Sequence, residues 1–194
     1  MKLTINWDTI VSILIGGGIT LAATFIAHWL ERRRTKCEQK KLMFGFIQGI
    51  YDEVKTLWDS YNENMGILIE NIQPKESFGY YWPITQEYFT VYVNNAHLIG
   101  QINDHNLRKQ IVSTYTKAKG LIDSYLLNND LIQKHDQAEL IYAETQKEID
   151  QTYARIIRER LVEYAVPLKK SHLEVKESVE SLLDMLEKEK RSRK

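Results

Sequence analysis

The chain has 194 residues, with 26 Lys and Arg against 26 Asp and Glu, so its formal net charge is zero. This balance argues against a protein that binds nucleic acid through bulk positive charge, and the single cysteine, Cys37, excludes an internal disulfide bond. Three prolines and nine glycines leave little room for flexible linkers, so the length predicts one domain, or one domain with an appendage.

The first predicted element is an apolar helix over residues 9–30, a stretch of 22 residues without Asp, Glu, Lys or Arg. Trp7 and Trp29 bracket this stretch and would lie roughly 33 Å apart in a helix, close to the thickness of a bilayer's hydrocarbon core. A signal peptide has a shorter apolar core, of about 7–15 residues, and a basic start. The pattern therefore predicts a transmembrane helix, with a buried helix of a soluble protein as the alternative.

Basic residues after this helix set the predicted topology. Residues 32–34 are all arginine and Lys36 follows them, whereas only Lys2 precedes the apolar stretch. Because positively charged flanks stay in the cytoplasm, we expect a single-pass inner-membrane protein with its N-terminus outside and its C-terminus cytoplasmic. The predicted domains are a tail and transmembrane helix over 1–34 and a cytoplasmic bundle over 35–194.

Small and polar residues recur along one stripe of the predicted transmembrane helix. Helices in lipid associate through small residues and interhelical hydrogen bonds, so the stripe predicts contact with other copies of the chain, which would form a homo-oligomer in the lipid bilayer. A water-filled pore lined by the same residues is the second interpretation, because hydroxyl and imidazole side chains also suit a lumen. The predicted contact or pore-lining residues are Ser12, Gly16, Thr20, Ala23, Thr24, Ala27 and His28.

The rest of the chain is predicted to form a bundle of four or five helices, so the fold class is all-α with a single N-terminal transmembrane helix. Apolar residues recur at steps of three or four along the first helix of the bundle, which is typical of a one-sided amphipathic helix. Pro74 is expected to end this helix. The predicted buried stripe consists of Met43, Phe46, Ile50, Val54, Leu57, Tyr61, Met65, Leu68 and Ile72.

An aromatic loop over residues 77–83 precedes a second predicted helix, which begins at Pro83. The loop is interpreted either as a surface that stacks on a base or a partner peptide, or as a lid over the end of the bundle. Asn94, Asn95 and His97 fall within one turn of the predicted helix. They form a candidate cytoplasmic polar site, with an ordinary polar helix face as the alternative.

Two further long helices are predicted in the C-terminal half. Residues 103–106 offer N-caps for the first, and a turn is predicted at residues 128–130. The second is expected to run to Val166 and to break or kink at Pro167. A heptad seam follows, on which His172 is interpreted as a pH-sensitive device or as a hydrogen-bonded core histidine. The seam consists of Leu168, His172, Val175, Val179, Leu182 and Leu186.

No motif for catalysis or metal binding is present. The sequence has no P-loop, G-x-S-x-G, H-E-x-x-H or C-x-x-C motif, and its five histidines have no ligand spacing. We therefore expect no enzymatic activity, no cofactor and no metal, and direct nucleic-acid binding is not favoured. A basic patch predicts contact with anionic lipid or an acidic partner, or a solvated face, and consists of Arg155, Arg158, Arg160, Lys169 and Lys170.

Three features of the chain resemble the membrane-anchored, HEPN-like accessory proteins of type VI-B CRISPR systems. They are the N-terminal apolar helix, the sequence Glu-Arg-Arg-Arg at residues 31–34 on its predicted cytoplasmic border, and the Tyr- and Asn-rich bundle. The resemblance implies a small bacterial antiphage effector that assembles into a pore and acts with a cytoplasmic defence-system protein. It covers the whole chain in architecture. The Arg-x4-6-His signature of HEPN ribonucleases is absent, so the resemblance implies no catalytic residue.

The predicted function is therefore that of an oligomeric membrane effector, which perturbs or permeabilises the membrane when its cytoplasmic bundle is triggered. The alternative is a membrane-tethered scaffold or interaction module that recruits a cytoplasmic partner without forming a pore. An enzyme that uses Asn94, Asn95 and His97 is a third hypothesis.

Overall fold

Three long helices account for most of the chain. The computed structural model describes residues 7–84 and 88–192, without the side chains of residues 7–16, 18, 19, 22 and 192. The described part is helical and contains no strand, so the predicted all-α class is confirmed. The helices are α1 (Trp7–Tyr61), a π-helical turn (Asn62–Gly66), α2 (Ile67–Glu70), α3 (Thr90–Asn94), α4 (Ala96–Ile99), α5 (His105–Thr145) and α6 (Glu148–Ser192).

No helix in the described part of the chain is both long enough and apolar enough to cross a membrane. The predicted transmembrane helix over residues 9–30 is therefore wrong, as are the pore and the single-pass inner-membrane localisation that depend on it. Crossing takes about 20 consecutive, mainly apolar residues, whereas the described side chains of α1 change from apolar to charged between Leu30 and Glu31. Many side chains of the predicted span lie outside the described ones.

The chain divides into two compact units, Met1–Phe44 and Gly45–Lys194. The sequence-based prediction places this boundary between residues 34 and 35. The first unit is part of α1, and the side chains from Ala23 to Leu42 are exposed. The second unit holds the rest of α1 and all the other helices, together with most of the buried side chains.

A π-helical turn shifts the register of the first amphipathic stripe. The stripe is buried as predicted at Ile50, Val54 and Tyr61, but beyond the turn the buried residues are Gly66 and Ile69. A π-helical turn inserts one extra residue relative to an α-helix, so the positions predicted by steps of three and four fall out of phase after residue 61. A Cβ atom at residue 66 would require the Asn62 side chain to move.

The predicted helix from Pro83 is replaced by an irregular segment and two short helices, α3 and α4. Pro83 itself is not helical, and residues 85–87 lie outside the described part. The start of α3 is fixed by a residue distant in sequence: the Glu53 carboxylate accepts hydrogen bonds from the backbone N–H groups of Val91 (2.6 Å) and Tyr92 (3.2 Å). A cap supplied by another helix leaves no local sequence signal.

Helices α5 and α6 form a hairpin whose turn lies at Gln146, where φ is 53°. The predicted cap is confirmed, because the Asp104 side chain accepts from the backbone N–H groups of Asn106 and Leu107. The predicted turn at residues 128–130 is wrong, since α5 continues through it. Pro167 lies inside α6 and does not end it.

The heptad seam of α6 is buried at all six predicted positions, so this prediction is confirmed. Polar groups on the packed faces of α5 and α6 are paired with each other. The hydroxyls of Thr114 and Ser178 lie 2.9 Å apart, and Gln110 Nε2 donates to the Ser178 carbonyl over 2.9 Å. These bonds satisfy the buried polar groups and fix how the two helices are aligned.

Asn129 anchors the aromatic loop to α5. Its amide forms a two-bond pair with the Trp82 backbone: Oδ1 accepts from the N–H (3.0 Å) and Nδ2 donates to the carbonyl (2.6 Å). Asn128 beside it is fully buried and donates to the Phe78 carbonyl over 3.1 Å. The two asparagines that suggested a turn therefore hold the loop against a continuous helix.

Replacing Asn129 with alanine should lower the free energy of unfolding by about 2–3 kcal/mol, because two backbone groups of Trp82 lose their partners. Urea denaturation followed by circular dichroism measures this change. Asn106→Ala makes the same substitution at an exposed position of α5 and should change the unfolding free energy by less than about 0.5 kcal/mol. Equal effects of the two substitutions would contradict the anchoring role.

Candidate functional site

A cavity of about 180 Å³ lies between the end of α1, the aromatic loop, α5 and α6. Its wall carries six aromatic side chains from four parts of the chain, an arrangement typical of small-molecule sites. These side chains are Trp58, Tyr61, Trp82, Tyr88, Phe89 and Tyr115. The other lining residues are Val54, Leu57, Ser60, Asn64, Ile84, Thr114, Ala118, Leu121, Ile122, Val175 and Val179.

The cavity opens where polar side chains are exposed. Ser60, Asn64 and Tyr88 line it and are all exposed, so they mark its mouth. Asn64 lies in the π-helical turn, a feature that often occurs at functional sites because it re-aims side chains out of the regular helical register. The turn that shifts the buried stripe therefore also positions a polar group at the entrance.

The wall of the cavity has no ionisable carboxylate, amine, guanidinium or imidazole group among the described residues that line it. Its polar atoms are hydroxyl, amide and indole groups. An ion would lose its hydration shell there without gaining an opposite charge. The cavity is therefore suited to a neutral occupant.

A chain of hydrogen bonds begins at the wall and runs into the bundle. The hydroxyl of Tyr61 lies 3.1 Å from that of Tyr125 and 2.7 Å from Nδ1 of His172. On the other side of the imidazole, Nε2 lies 2.9 Å from Oε1 of Glu70, and the same oxygen accepts from Lys176 Nζ over 2.8 Å. This series of hydrogen bonds joins α1, α2, α5 and α6.

The partners in this chain fix the direction of each hydrogen bond. Burial lowers the pKa of His172 below its ordinary value, although the Glu70 carboxylate opposes the effect. The neutral imidazole therefore donates from Nε2–H to Glu70 and accepts at Nδ1 from the Tyr61 hydroxyl. Because Tyr61 donates to His172, its oxygen accepts from Tyr125, whose pKa burial raises to about 12.

Glu70 is held as a carboxylate at the far end of the chain. Hydrogen bonds from Lys176 and His172 lower its pKa below the ordinary value. A second lysine of α6, Lys169, donates to the backbone carbonyls of Glu70 (2.8 Å) and Ile72 (3.0 Å), which lie where α2 ends. Both lysines thereby tie α2 to α6.

A second network supports the opposite part of the wall. The Tyr115 hydroxyl donates to Glu53 over 2.6 Å, and burial together with this hydrogen bond raises the pKa of Tyr115. Its ring stacks on Tyr92 with centroids 4.0 Å apart and meets the ring of Phe89 edge-on at 5.2 Å. The carboxylate that caps α3 thus also orients a lining tyrosine.

The aromatic loop contributes both to the core and to the cavity. Phe78 is fully buried and meets Tyr125 edge-on, with ring centroids 5.8 Å apart. Trp82 lines the cavity and meets the Tyr125 ring edge-on at 4.9 Å. Tyr80 and Tyr81 are half exposed. Part of the loop thus covers the bundle, in agreement with the lid interpretation, while stacking on a base or a peptide stays a prediction.

The predicted contact stripe lies on α1 outside the second unit. The side chains of Ser12 and Gly16 lie outside the described ones, whereas those from Thr20 to His28 on the stripe are exposed. Thr24 donates its hydroxyl to the Thr20 carbonyl over 2.8 Å within the same helix. The role of the stripe in self-association stays a prediction. Its described members are Thr20, Ala23, Thr24, Ala27 and His28.

Asn94, Asn95 and His97 do not line the cavity. Asn94 and His97 are exposed, and Asn95 donates its amide to the Val91 carbonyl over 2.9 Å. Sequence reasoning missed the cavity residues instead. Trp58 and Ala118 lie in no sequence motif. Only the concentration of aromatic residues between 77 and 89 indicated a part of the cavity wall.

Comparison with models of protein families, with curated proteins and with solved structures returned no match. The resemblance to HEPN-like CRISPR accessory proteins therefore stays a prediction. Among the side chains that the structure describes, no three His, Cys, Asp or Glu residues lie close enough to hold a metal ion.

The bundle should lose stability as the pH falls below about 6.5, the ordinary pKa of histidine. The folded state holds His172 neutral, whereas the unfolded chain binds a proton there, so acid favours unfolding by at most about 1.4 kcal/mol per pH unit. Glu70, whose pKa is lowered, adds to the loss only below about 4.3. Urea denaturation between pH 7.5 and pH 5.5 measures the slope.

Two substitutions identify the histidine responsible. His172→Gln should cost about 1–3 kcal/mol at pH 7.5 and flatten the slope, because glutamine does not titrate. His97→Ala removes an exposed histidine and should leave the slope unchanged. A slope that survives His172→Gln would show that other groups control the acid sensitivity.

Proposed function

We propose that the second unit is a small-molecule binding module with its site in the aromatic cavity. The observation that carries this proposal is an aromatic cavity whose described lining residues carry no charge and which opens through exposed polar side chains. Sites for small molecules are concave, mainly apolar and supplied with a few polar groups, and this cavity has all three properties.

The lining side chains are held in place before a ligand binds. The Tyr61 hydroxyl is fixed by Tyr125 and His172, and Tyr115 is fixed by Glu53. Residues that are already ordered lose little conformational entropy on binding, which favours affinity. The two networks therefore support a preformed site.

A ligand in the cavity would contact α1, α5 and α6 at the same time. Its binding would favour one arrangement of these helices over others, as expected of a bundle that responds to a signal. Recruitment of a protein partner in antiphage defence stays a prediction, as does the expected absence of enzymatic activity.

Filling the cavity should abolish ligand binding. In Ala118→Phe the new ring would occupy the space that a ligand needs, so compounds that raise the melting temperature of the wild-type protein should no longer do so. Thermal denaturation with a set of small aromatic compounds at 1 mM measures the effect.

Ala143→Phe makes the same substitution at an exposed site on α5, away from the lining residues. It should respond to ligands as the wild type does, and circular dichroism checks that both variants are folded. If ligands stabilise the Ala118→Phe variant as strongly as the wild type, the cavity is not the site.

A second candidate function is self-association through the bulky apolar side chains of α1, which differ from the predicted stripe of small and polar residues. Leu21 and Phe25 are 74% and 76% exposed, and Ile26, Trp29 and Leu30 are also exposed. Leu21, Phe25 and Trp29 are four residues apart and lie along one side of the helix. Exposed apolar surfaces of this kind mark protein contacts, and a second copy of α1 offers a matching surface.

The double substitution Leu21→Gln and Phe25→Gln should weaken self-association at least about 10-fold, because each removes apolar area from the contact. Sedimentation velocity over a range of concentrations measures the oligomeric state. Leu140→Gln, at an apolar position of α5 that is 65% exposed, should leave it unchanged. A wild-type protein that stays monomeric throughout would remove this candidate.

A further inference from the structure

We infer that the cavity takes a neutral, planar molecule of one or two fused rings that donates one hydrogen bond to Asn64 at the mouth. This inference rests on the proposed small-molecule function and names the chemical class of the ligand. Four properties of the cavity support it: its volume, the shape of its wall, the lack of charge among its described lining residues and the amide oxygen of Asn64 at its entrance.

The volume limits the size of the ligand. An engineered protein cavity of about 150 Å³ binds benzene, and the cavity here measures about 180 Å³. One ring fits inside, and a second fused ring reaches the open end, where Ser60 and Asn64 are exposed. A steroid or a nucleotide is too large.

The wall favours a flat ring. Rings from α1, the aromatic loop and α5 surround the cavity, and they already pack edge-on or tilted against one another, as Tyr61 and Trp82 do with centroids 5.3 Å apart. Aromatic pairs in such arrangements gain energy beyond the area that they bury. A planar aromatic ligand extends this pattern, whereas a flexible aliphatic one does not.

The two carboxylates whose hydrogen bonds support the wall are already paired. The Glu53 carboxylate accepts from Tyr115 and from the first backbone N–H groups of α3. Glu70 accepts from His172 and Lys176. Neither carboxylate is free, and none of the described lining residues carries a charge. An ionic ligand would therefore lose hydration without compensation from this part of the wall.

The amide oxygen of Asn64 is available as an acceptor at the mouth. Asn64 donates through Nδ2 to the Ser60 carbonyl over 2.7 Å, and no described residue donates to its Oδ1. The hydroxyls of Tyr61 and Thr114, deeper in the wall, are already bonded to His172 and Ser178. Ser60 and Tyr88 also contribute hydroxyls to the mouth, but an amide oxygen is a stronger acceptor than a hydroxyl oxygen. A ring N–H or O–H of a ligand therefore donates to Asn64, at the entrance of the cavity.

A matched pair of ligands tests this assignment on the full chain. Indole and 1-benzothiophene have almost the same shape, but only indole carries an N–H donor. Isothermal titration calorimetry should show that indole binds about 3- to 10-fold more tightly, the range expected for one partly exposed hydrogen bond. Benzoate and benzylammonium should bind at least about 10-fold more weakly than indole.

The Asn64→Leu variant should bind the two bicyclic compounds equally, whereas Asn106→Leu, an exposed asparagine remote from the mouth, should keep the preference for indole. The ratio of the indole and 1-benzothiophene affinities is measured on the wild-type protein, so this test remains valid even if the Asn64→Leu variant misfolds. Equal affinities for the pair in the wild type, or tighter binding of either ion, would overturn the ligand class while leaving the site in place. If none of the four compounds binds, the proposed function itself fails.

Discussion

The hydrogen bond from the Tyr61 hydroxyl to Nδ1 of His172, 2.7 Å long and buried, joins the end of α1 to the heptad seam of α6. Tyr125 adds α5 through the same hydroxyl, and Glu70 adds α2 through the other nitrogen of the imidazole. Each group is satisfied only while the others keep their places. This series of hydrogen bonds therefore fixes the position of the end of α1 relative to the α5–α6 hairpin. The cavity lies beside the end of α1.

The site is a consequence of how buried polar groups find partners. Asn129 binds the backbone of the aromatic loop and so places Trp82 in the wall, while Glu53 caps α3 and holds Tyr115. The π-helical turn then directs Asn64 to the opening. The contacts that stabilise the bundle therefore also shape the cavity.

Local patterns were predictive where the structure depends on local contacts. The heptad seam of α6 is buried at every predicted position, and Asp104 caps α5 as its neighbours suggest. Predictions failed where a distant residue decides the outcome: Asn128 and Asn129 suggest a turn, but both donate hydrogen bonds to the aromatic loop from inside a helix. Of the cavity, the sequence indicated only the aromatic loop, because the other lining residues come from separate helices.

By itself the sequence determined the helical class, the buried stripes of α1 and α6 and the cap of α5, since periodicity and capping act over a few residues. Only the tertiary structure decided the register after Tyr61, the hairpin turn at Gln146, the start of α3 and the cavity. The start of α3 and the cavity depend on partners supplied from elsewhere in the chain, such as Glu53 and Glu70. The hydrogen bond between His172 and Glu70 joins residues 102 positions apart, so no periodic pattern in the sequence indicates it.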